Sequence, residues 1–184
     1  MNGIQLMIDE HVYIKRMIKV MRQACLLVYK HEPINYGDFE LMIEFVKEYA
    51  DKHHHGKEEQ ILFNRILDET GELGEKLITN GMMVEHGQGR FYIHELEEAL
   101  QSVKDGNPDA SIDVIANAVS YANLLSRHID KEDNVVYTFA LRELKSETIE
   151  QVNEECQEFE KKQVELNIQM KYIQMVEVLE TKYL

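Results

Sequence analysis

The chain has 184 residues and a formal net charge of −14, with 20 Lys and Arg against 34 Asp and Glu. That balance argues against binding nucleic acid, which needs clustered cations, while the length suits one domain with a sizeable core. Two prolines and nine glycines favour helices over a turn-rich sheet. Cys25 and Cys156 are too few for a disulfide framework and form no CxxC pair, so reduced thiols in a cytoplasmic protein are expected. The start, Met1-Asn2-Gly3-Ile4 to Asp9-Glu10, lacks a basic region and a long apolar run. Neither a signal peptide nor a membrane partner is expected.

In chain order, Ile4, Met7, Ile8, His11, Ile14, Ile18, Met21, Cys25 and Val28 recur at three- and four-residue steps, predicting a first helix that ends near Pro33. Asp38 is a candidate N-cap for a second helix carrying Met42, Phe45, Val46, Tyr49, His53, Ile61, Phe63 and Leu67, with a stop at Thr70-Gly71. A short helical piece from Glu72 leads past Asn80-Gly81 into a third helix, roughly Met82 to Val103, bearing His86, Ile93, Leu96 and Leu100. Asp105-Gly106-Asn107-Pro108 ends it, and Asp109 begins a fourth helix through Ile112, Ile115, Val119, Leu125, His128, Val136 and Leu144. Ser146 can cap a last helix reaching Leu184, whose irregular apolar spacing suggests two contact faces. Met17, Met21, Met82 and Met83 read as core filler, and His31 and His94 as surface residues.

Two stretches repeat a spacing: His54-x-x-x-Glu58 within His53-His54-His55-Gly56-Lys57-Glu58-Glu59, and His128-x-x-x-Glu132. Four residues advance about 6 Å and 400° along an α-helix, so each His and Glu share one face. Consecutive positions point about 100° apart, so not all of His53, His54 and His55 should face the core. His53 would pair with Lys57, which is no ligand; a shifted His55–Glu59 pair is the alternative to His54–Glu58. Asp133, five residues after His128, competes with Glu132. His11 and His86 add an imidazole from each of two further helices. A single His on an apolar face is usually a satisfied core residue, and a charged run is usually a solvated face. Joint placement on four helices favours a metal centre in a bundle. Several imidazoles with bridging carboxylates suit two iron ions better than a closed zinc or a calcium site. Tyr92, Tyr121 and Tyr137 can donate to the ligands or simply pack with their hydroxyls in water. Gly87 and Gly89 beside His86 can mark a path to the metals or a bend.

His11, the His-His-Gly-Lys-Glu-Glu stretch with Ile61-Leu62-Phe63, the Glu85-His86-Gly87 triplet and His128-Ile129-Asp130-Lys131-Glu132-Asp133 resemble the hemerythrin-like, HHE cation-binding domain over residues 5 to about 145. The resemblance implies an up-down-up-down four-helix bundle over 1–145; the last helix, residues 146–184, is expected to add to it, packed on the bundle or in a homodimer interface. It implies two carboxylate-bridged iron ions (Fe2+/Fe3+), His11 and His54 on one, His86 and His128 on the other, Glu58 and Glu132 bridging. Oxygen-carrying members place a second His four residues after the third-helix one; here that position is Arg90, which leaves the second iron short of a ligand unless His55, Glu59 or water fills the gap. Arg90 is expected to pair with an acid such as Glu85 or Glu59.

The function expected is binding or sensing of a small diatomic ligand, oxygen or nitric oxide, or of iron itself. The alternative is a di-iron enzyme in nitric oxide or peroxide detoxification or iron-sulfur cluster repair. A third reading makes the metal structural glue. The sequence names neither the ligand nor a redox partner.

Overall fold

A computed structural model of the chain describes residues 2–165 and 167–184, and among these the only regular structure is helical. α1 (Gly3–Tyr29) is capped by the Asn2 side chain accepting from Gln5 N. α2 (Tyr36–Phe45) starts earlier than predicted: Asn35, not Asp38, is the cap, its Oδ1 accepting from Asp38 N at 3.1 Å. The helix widens into π-helical turns at Val46–His55 and Glu58–Leu62 before resuming as α3 (Phe63–Gly74). Gly71 breaks it with φ 56°, a left-handed value that suits glycine. At Gly74 a Cβ would lie 2.9 Å from Ile66 O, so a side chain there would press on the helix before the Gly71 kink.

Beyond the kink, π-helical Glu75–Met82 joins α4 (Met83–Lys104). The predicted break at Asn80-Gly81 is absent, because the wider turns absorb both residues within the helix. A 3₁₀ turn, Pro108–Ala110, precedes α5 (Ser111–Lys131), so Asp109 lies in that turn and does not cap the helix. π-helical Glu132–Val136 leads to α6 (Tyr137–Glu143). The predicted single last helix is two, α7 (Ser146–Glu165) and α8 (Ile168–Tyr183), with Asn167 between them at φ 55°. Asn tolerates that left-handed conformation through its short polar side chain.

Cross-helix pairs position these elements. α1 meets α5 through Arg22–Asn123 at 2.8 Å and the π-helical turn after it through Lys15–Asp133 at 2.9 Å. The second helix meets α4 through Lys47–Glu97 at 3.1 Å and Glu59–Arg90 at 2.6 Å. α7 and α8 lie on α1, where Gly3 N donates to Asn153 Oδ1 at 2.7 Å and Arg16 pairs with Glu180 at 2.6 Å. Of the methionines read as core, Met17, Met21 and Met82 are buried but Met83 is exposed.

The core is divided. One apolar cluster gathers Ile14, Met17, Phe39, Phe45, Tyr49, Ile93, Leu96, Leu125, Tyr172 and Val176. The other gathers Ile4, Met7, Leu62, Phe63, Met82, Val136, Tyr137, Val152 and Cys156. Between them each long helix contributes buried polar groups: Glu10 and His11; His53, His54, His55, Lys57 and Glu58; His86; His128 and Glu132; and Glu160. Burying each large apolar side chain contributes roughly 1.5–3 kcal/mol, so hydrocarbon on both sides holds this polar belt in place.

Candidate metal centre

The belt begins with the winding of the second helix. In an α-helix three consecutive side chains fan too widely to share a buried face, but the i→i+5 bonding of Val46–His55 widens the turn and changes that fan. His53, His54 and His55 are all buried, at 2%, 1% and 5% exposure. The expectation that one must face water is therefore corrected. New π-helical turns start at Glu58 and at Glu132, the two carboxylates that follow the histidines.

Three groups of candidate ligand atoms result among the described residues, each within 4.8 Å, and two of them share Glu58: His11, His54, Glu58 and Glu132 in one, His55, Glu58, His86 and His128 in the other, while Glu10, His53 and Glu160 form a separate third. His11 Nε2 lies 2.9 Å from His54 Nε2 and 3.3 Å from Glu132 Oε2. His86 Nε2 lies 3.0 Å from His128 Nε2, 3.6 Å from Glu58 Oε2 and 3.7 Å from Glu132 Oε1. His128 Nε2 is 2.8 Å from Glu132 Oε1 and His54 Nε2 is 3.7 Å from Glu58 Oε2. The carboxylates thus stand between two sets of imidazoles. His55 stacks on His86 with ring centroids 3.8 Å apart. Glu59 and Asp133, weighed as alternative ligands, fall outside both groups.

A ring of acids holds the outer nitrogens. The Nδ1 atoms of His11, His54, His55, His86 and His128 donate to Asp133 (2.7 Å), Glu10 (2.9 Å), Asp51 (3.2 Å), Glu59 (2.6 Å) and Glu85 (3.0 Å). Each acid meets a cation in turn: Lys15 on Asp133, Lys57 on Glu10, Arg90 on both Asp51 and Glu59, and Lys131 on Glu85. Carboxylates on Nδ1 fix the tautomer, leaving Nε2 free to ligate, and raise its basicity. Arg90 takes an acid partner, as its side chain requires, and Asp51 is one that the sequence did not single out.

The electrostatics follow from this packing. Burial, reinforced by the neighbouring His11, lowers His54 to about 4. Burial and the adjacent His86 likewise hold His55 well below the usual imidazole value. Burial would lower His128 too, but the Glu132 charge and the Glu85 hydrogen bond lift it to about 9. Burial and the facing Glu132 push Glu58 well above the carboxylate range, whereas His128 and His11 overcome burial to hold Glu132 well below it. Two facing buried carboxylates cannot both ionise cheaply without a cation between them.

The chemistry of the donors suits metal binding. Glu58 Oε2 and both Glu132 oxygens are buried and aligned for no hydrogen bond among the described residues, a costly arrangement unless something else binds them. Glu58 Oε1 accepts from Tyr137 Oη at 2.6 Å, so one of the three tyrosines considered does serve a candidate ligand. Imidazole nitrogens with carboxylates suit transition ions such as iron.

Sequence reasoning missed Glu10, Asp51, Lys57 and Glu160. Lys57 Nζ, fully buried, contacts Glu10, lies 3.0 Å from His53 Nε2, and reaches Glu160 of α7 at 2.5 Å. Burial removes Glu10 from water, but hydrogen bonds from His53 and His54 and the Lys57 charge hold its carboxyl well below the usual range. The pattern marks all four as solvated, since charged residues are rarely buried unless paired; only Glu10, next to His11 on the apolar face, left a trace.

Neither the curated proteins nor the solved structures gave a match to the chain. A family profile, the Hemerythrin HHE cation binding domain, matches residues 2–140. Covering most of the chain and every imidazole of the two groups, that match makes this protein a member of the hemerythrin HHE cation-binding family.

Proposed function

We propose that the chain is a non-haem di-iron protein that binds a small diatomic ligand, oxygen or nitric oxide, at an open coordination position. His11 and His54 would hold one iron, His86 and His128 the other with His55 beside them, and Glu58 and Glu132 would bridge. The single observation that carries this reading is the trio of carboxylate oxygens, aligned for no hydrogen bond, buried between two sets of Nε2 atoms. Iron held by such a set would supply redox-linked binding of a diatomic molecule; the chain's own part is to hold the imidazoles neutral and aimed through the acid ring.

The surrounding architecture fits. The helix pairs, 22 with 123 and 15 with 133, 47 with 97 and 59 with 90, rise in number on one partner as they fall on the other, as in an up-down-up-down bundle over residues 1–145. Tyr172, Val176 and Leu179 of α8 join the core cluster, which supports residues 146–184 covering the bundle rather than forming a dimer interface. No helix among the described residues is long and apolar enough to cross a membrane, and Cys25 and Cys156 are unbridged, in keeping with a cytoplasmic location.

The test is metal analysis of protein grown with iron, followed by mixing of the reduced sample with oxygen or nitric oxide. Two irons per chain and a saturable spectral change are expected. A reproducible single zinc, or iron that responds to neither gas, would reject the proposal.

A further inference from the structure

A cavity of about 230 Å³ opens between the second helix, α4 and α5, and the His55, His86 and His128 side chains form part of its lining. The polar lining grades from wet to dry. On the second helix Lys47 is exposed, Asp51 half-buried and His55 buried, at four-residue steps; on α4 Glu97 and Arg90 are exposed and His86 is buried. Charged and imidazole side chains therefore run from the surface to the second ligand group. A neutral gas gains nothing from such a lining, whereas an ion is costly to take out of water unless polar groups replace its shell. One water needs roughly 10–15 Å³ of such space, so a partly hydrated ion fits.

Charge selects the sign. Lys47 and Arg90 face three acids, Asp51, Glu85 and Glu97, in the lining, and the chain as a whole carries −14, a field that draws cations in and turns anions away. Lys47 pairs with Glu97 at 3.1 Å, and Arg90 reaches from α4 to Asp51 on the second helix at 2.7 Å. Both cationic side chains are nearly half exposed, at 49% and 44%, so each can turn into water and leave its acid to an incoming ion. At the far end Glu58 Oε2, buried and aligned for no hydrogen bond, lies 3.6 Å from His86 Nε2.

We infer that this cavity is the route by which a divalent transition-metal ion reaches the group of His55, Glu58, His86 and His128, with Glu97 and Asp51 receiving it in turn and Gly89 keeping the passage open. Gly89 lines the cavity without a side chain, and a Cβ there would meet the Tyr121 ring at 3.6 Å and Leu124 at 4.0 Å. Those are ordinary contacts. A longer side chain at this position is accommodated at its root and narrows the passage beyond. Because the route ends at the candidate metal centre, the inference rests on the metal reading for what the ion meets there.

The probe is the cobalt(II) ion alone, mixed by stopped flow with the full chain after chelation, its helices verified by circular dichroism, and uptake is followed by the visible absorption of imidazole-bound cobalt. Gly89→Leu should slow uptake by at least about tenfold, since a close-packed wall opens only in rare fluctuations, and should leave the final spectrum and the number of ions bound unchanged. Glu97→Lys, at the exposed mouth, should slow uptake by about tenfold at low salt and lose that effect at about 1 M salt, where charges are screened within about 3 Å. Glu150→Lys, the same change in net charge at an exposed position of α7, should leave the rate unaltered. The Glu97 and Glu150 pair decides the matter even if Gly89→Leu fails to fold. Wild-type uptake by a folded Gly89→Leu chain, or equal slowing by Glu97→Lys and Glu150→Lys, overturns the route and leaves the metal reading standing. A wild type that binds no cobalt overturns the metal reading and the route together.

Discussion

Arg90 binds Glu59, Nη2 to Oε1 at 2.6 Å, and Glu59 accepts from His86 Nδ1 at the same 2.6 Å. The same guanidinium holds Asp51, which receives His55 Nδ1, so one arginine orients two imidazoles of the second group. Acids paired with two hydrogen bonds each are fixed more firmly than one left to water.

Arg90→Ala should therefore weaken metal binding at that half of the centre by about tenfold, the lower end for loss of outer-sphere support, because the guanidinium is half exposed. Arg90→His should retain more affinity and slow oxidation of the reduced iron in air. Competition with a chelating dye measures the first and stopped-flow mixing with oxygen the second. An Arg90→Ala protein with unchanged affinity would show that His55 and His86 need no such support.

Removing a bridge should be more drastic. Glu58→Gln and Glu132→Gln should each lower metal content to one ion per chain or less, whereas Glu69→Gln should leave it unaltered, since Glu69 only accepts from Lys145 N and Thr148 Oγ1 at the start of α7. Metal that binds only the folded chain stabilises it by mass action, so chelation should lower the melting temperature in the wild type. Imidazole must lose its proton to ligate, and metal should leave as the pH falls below about 6. Equal metal content in all three variants, or full retention at pH 4.5, contradicts these assignments.

Lys57→Met leaves Glu10 and Glu160 without their shared cation inside the protein. Breaking a buried ion pair from one side costs about 3–5 kcal/mol, and urea unfolding of the variant should show a loss of that order. Combining it with Glu160→Leu should cost less than the two changes added, because the second removes the charge that the first stranded. Strict additivity would mean that Lys57 and Glu160 do not interact.

Both thiols are buried, and burial pushes Cys25 up to about 12 and Cys156 up to about 11, from 9.0 in an exposed thiol. A raised folded value favours the protonated form, so this contribution to stability is whole below pH 9 and is lost as pH rises through about 11 to 12. At pH 8 the native chain should react with a thiol reagent far more slowly than the denatured chain, in which both cysteines should react at once. Prompt native reaction of either would show it exposed.

Most of the helices, their order, and the set of histidines that the structure brings together were legible because apolar spacing and residue spacing are local signals. Three features were not. The placing of His53, His54 and His55 depends on π-helical winding, which no 100° wheel represents. Asn167 between α7 and α8 is one residue in an otherwise helical stretch, and its left-handed turn carries no pattern. The acid and cation partners Asp51, Lys57 and Glu160 are written in the same letters as a wet surface; Lys52, five residues before Lys57, is indeed exposed. Which of two nearby lysines enters the protein is decided by the helix that packs over it.

The polar belt between two hydrocarbon layers also acts as a vernier. A helix that slid along its axis by one turn, about 5.4 Å, would carry Glu10, Lys57 or Glu132 out of the belt and into Met7, Leu62 or Tyr49 territory, while its neighbours stayed in step. Packed apolar helices alone tolerate such slippage between near-equal arrangements, because one leucine contact resembles another. Here every helix that crosses the belt carries its own index mark, and only one alignment brings all the marks level.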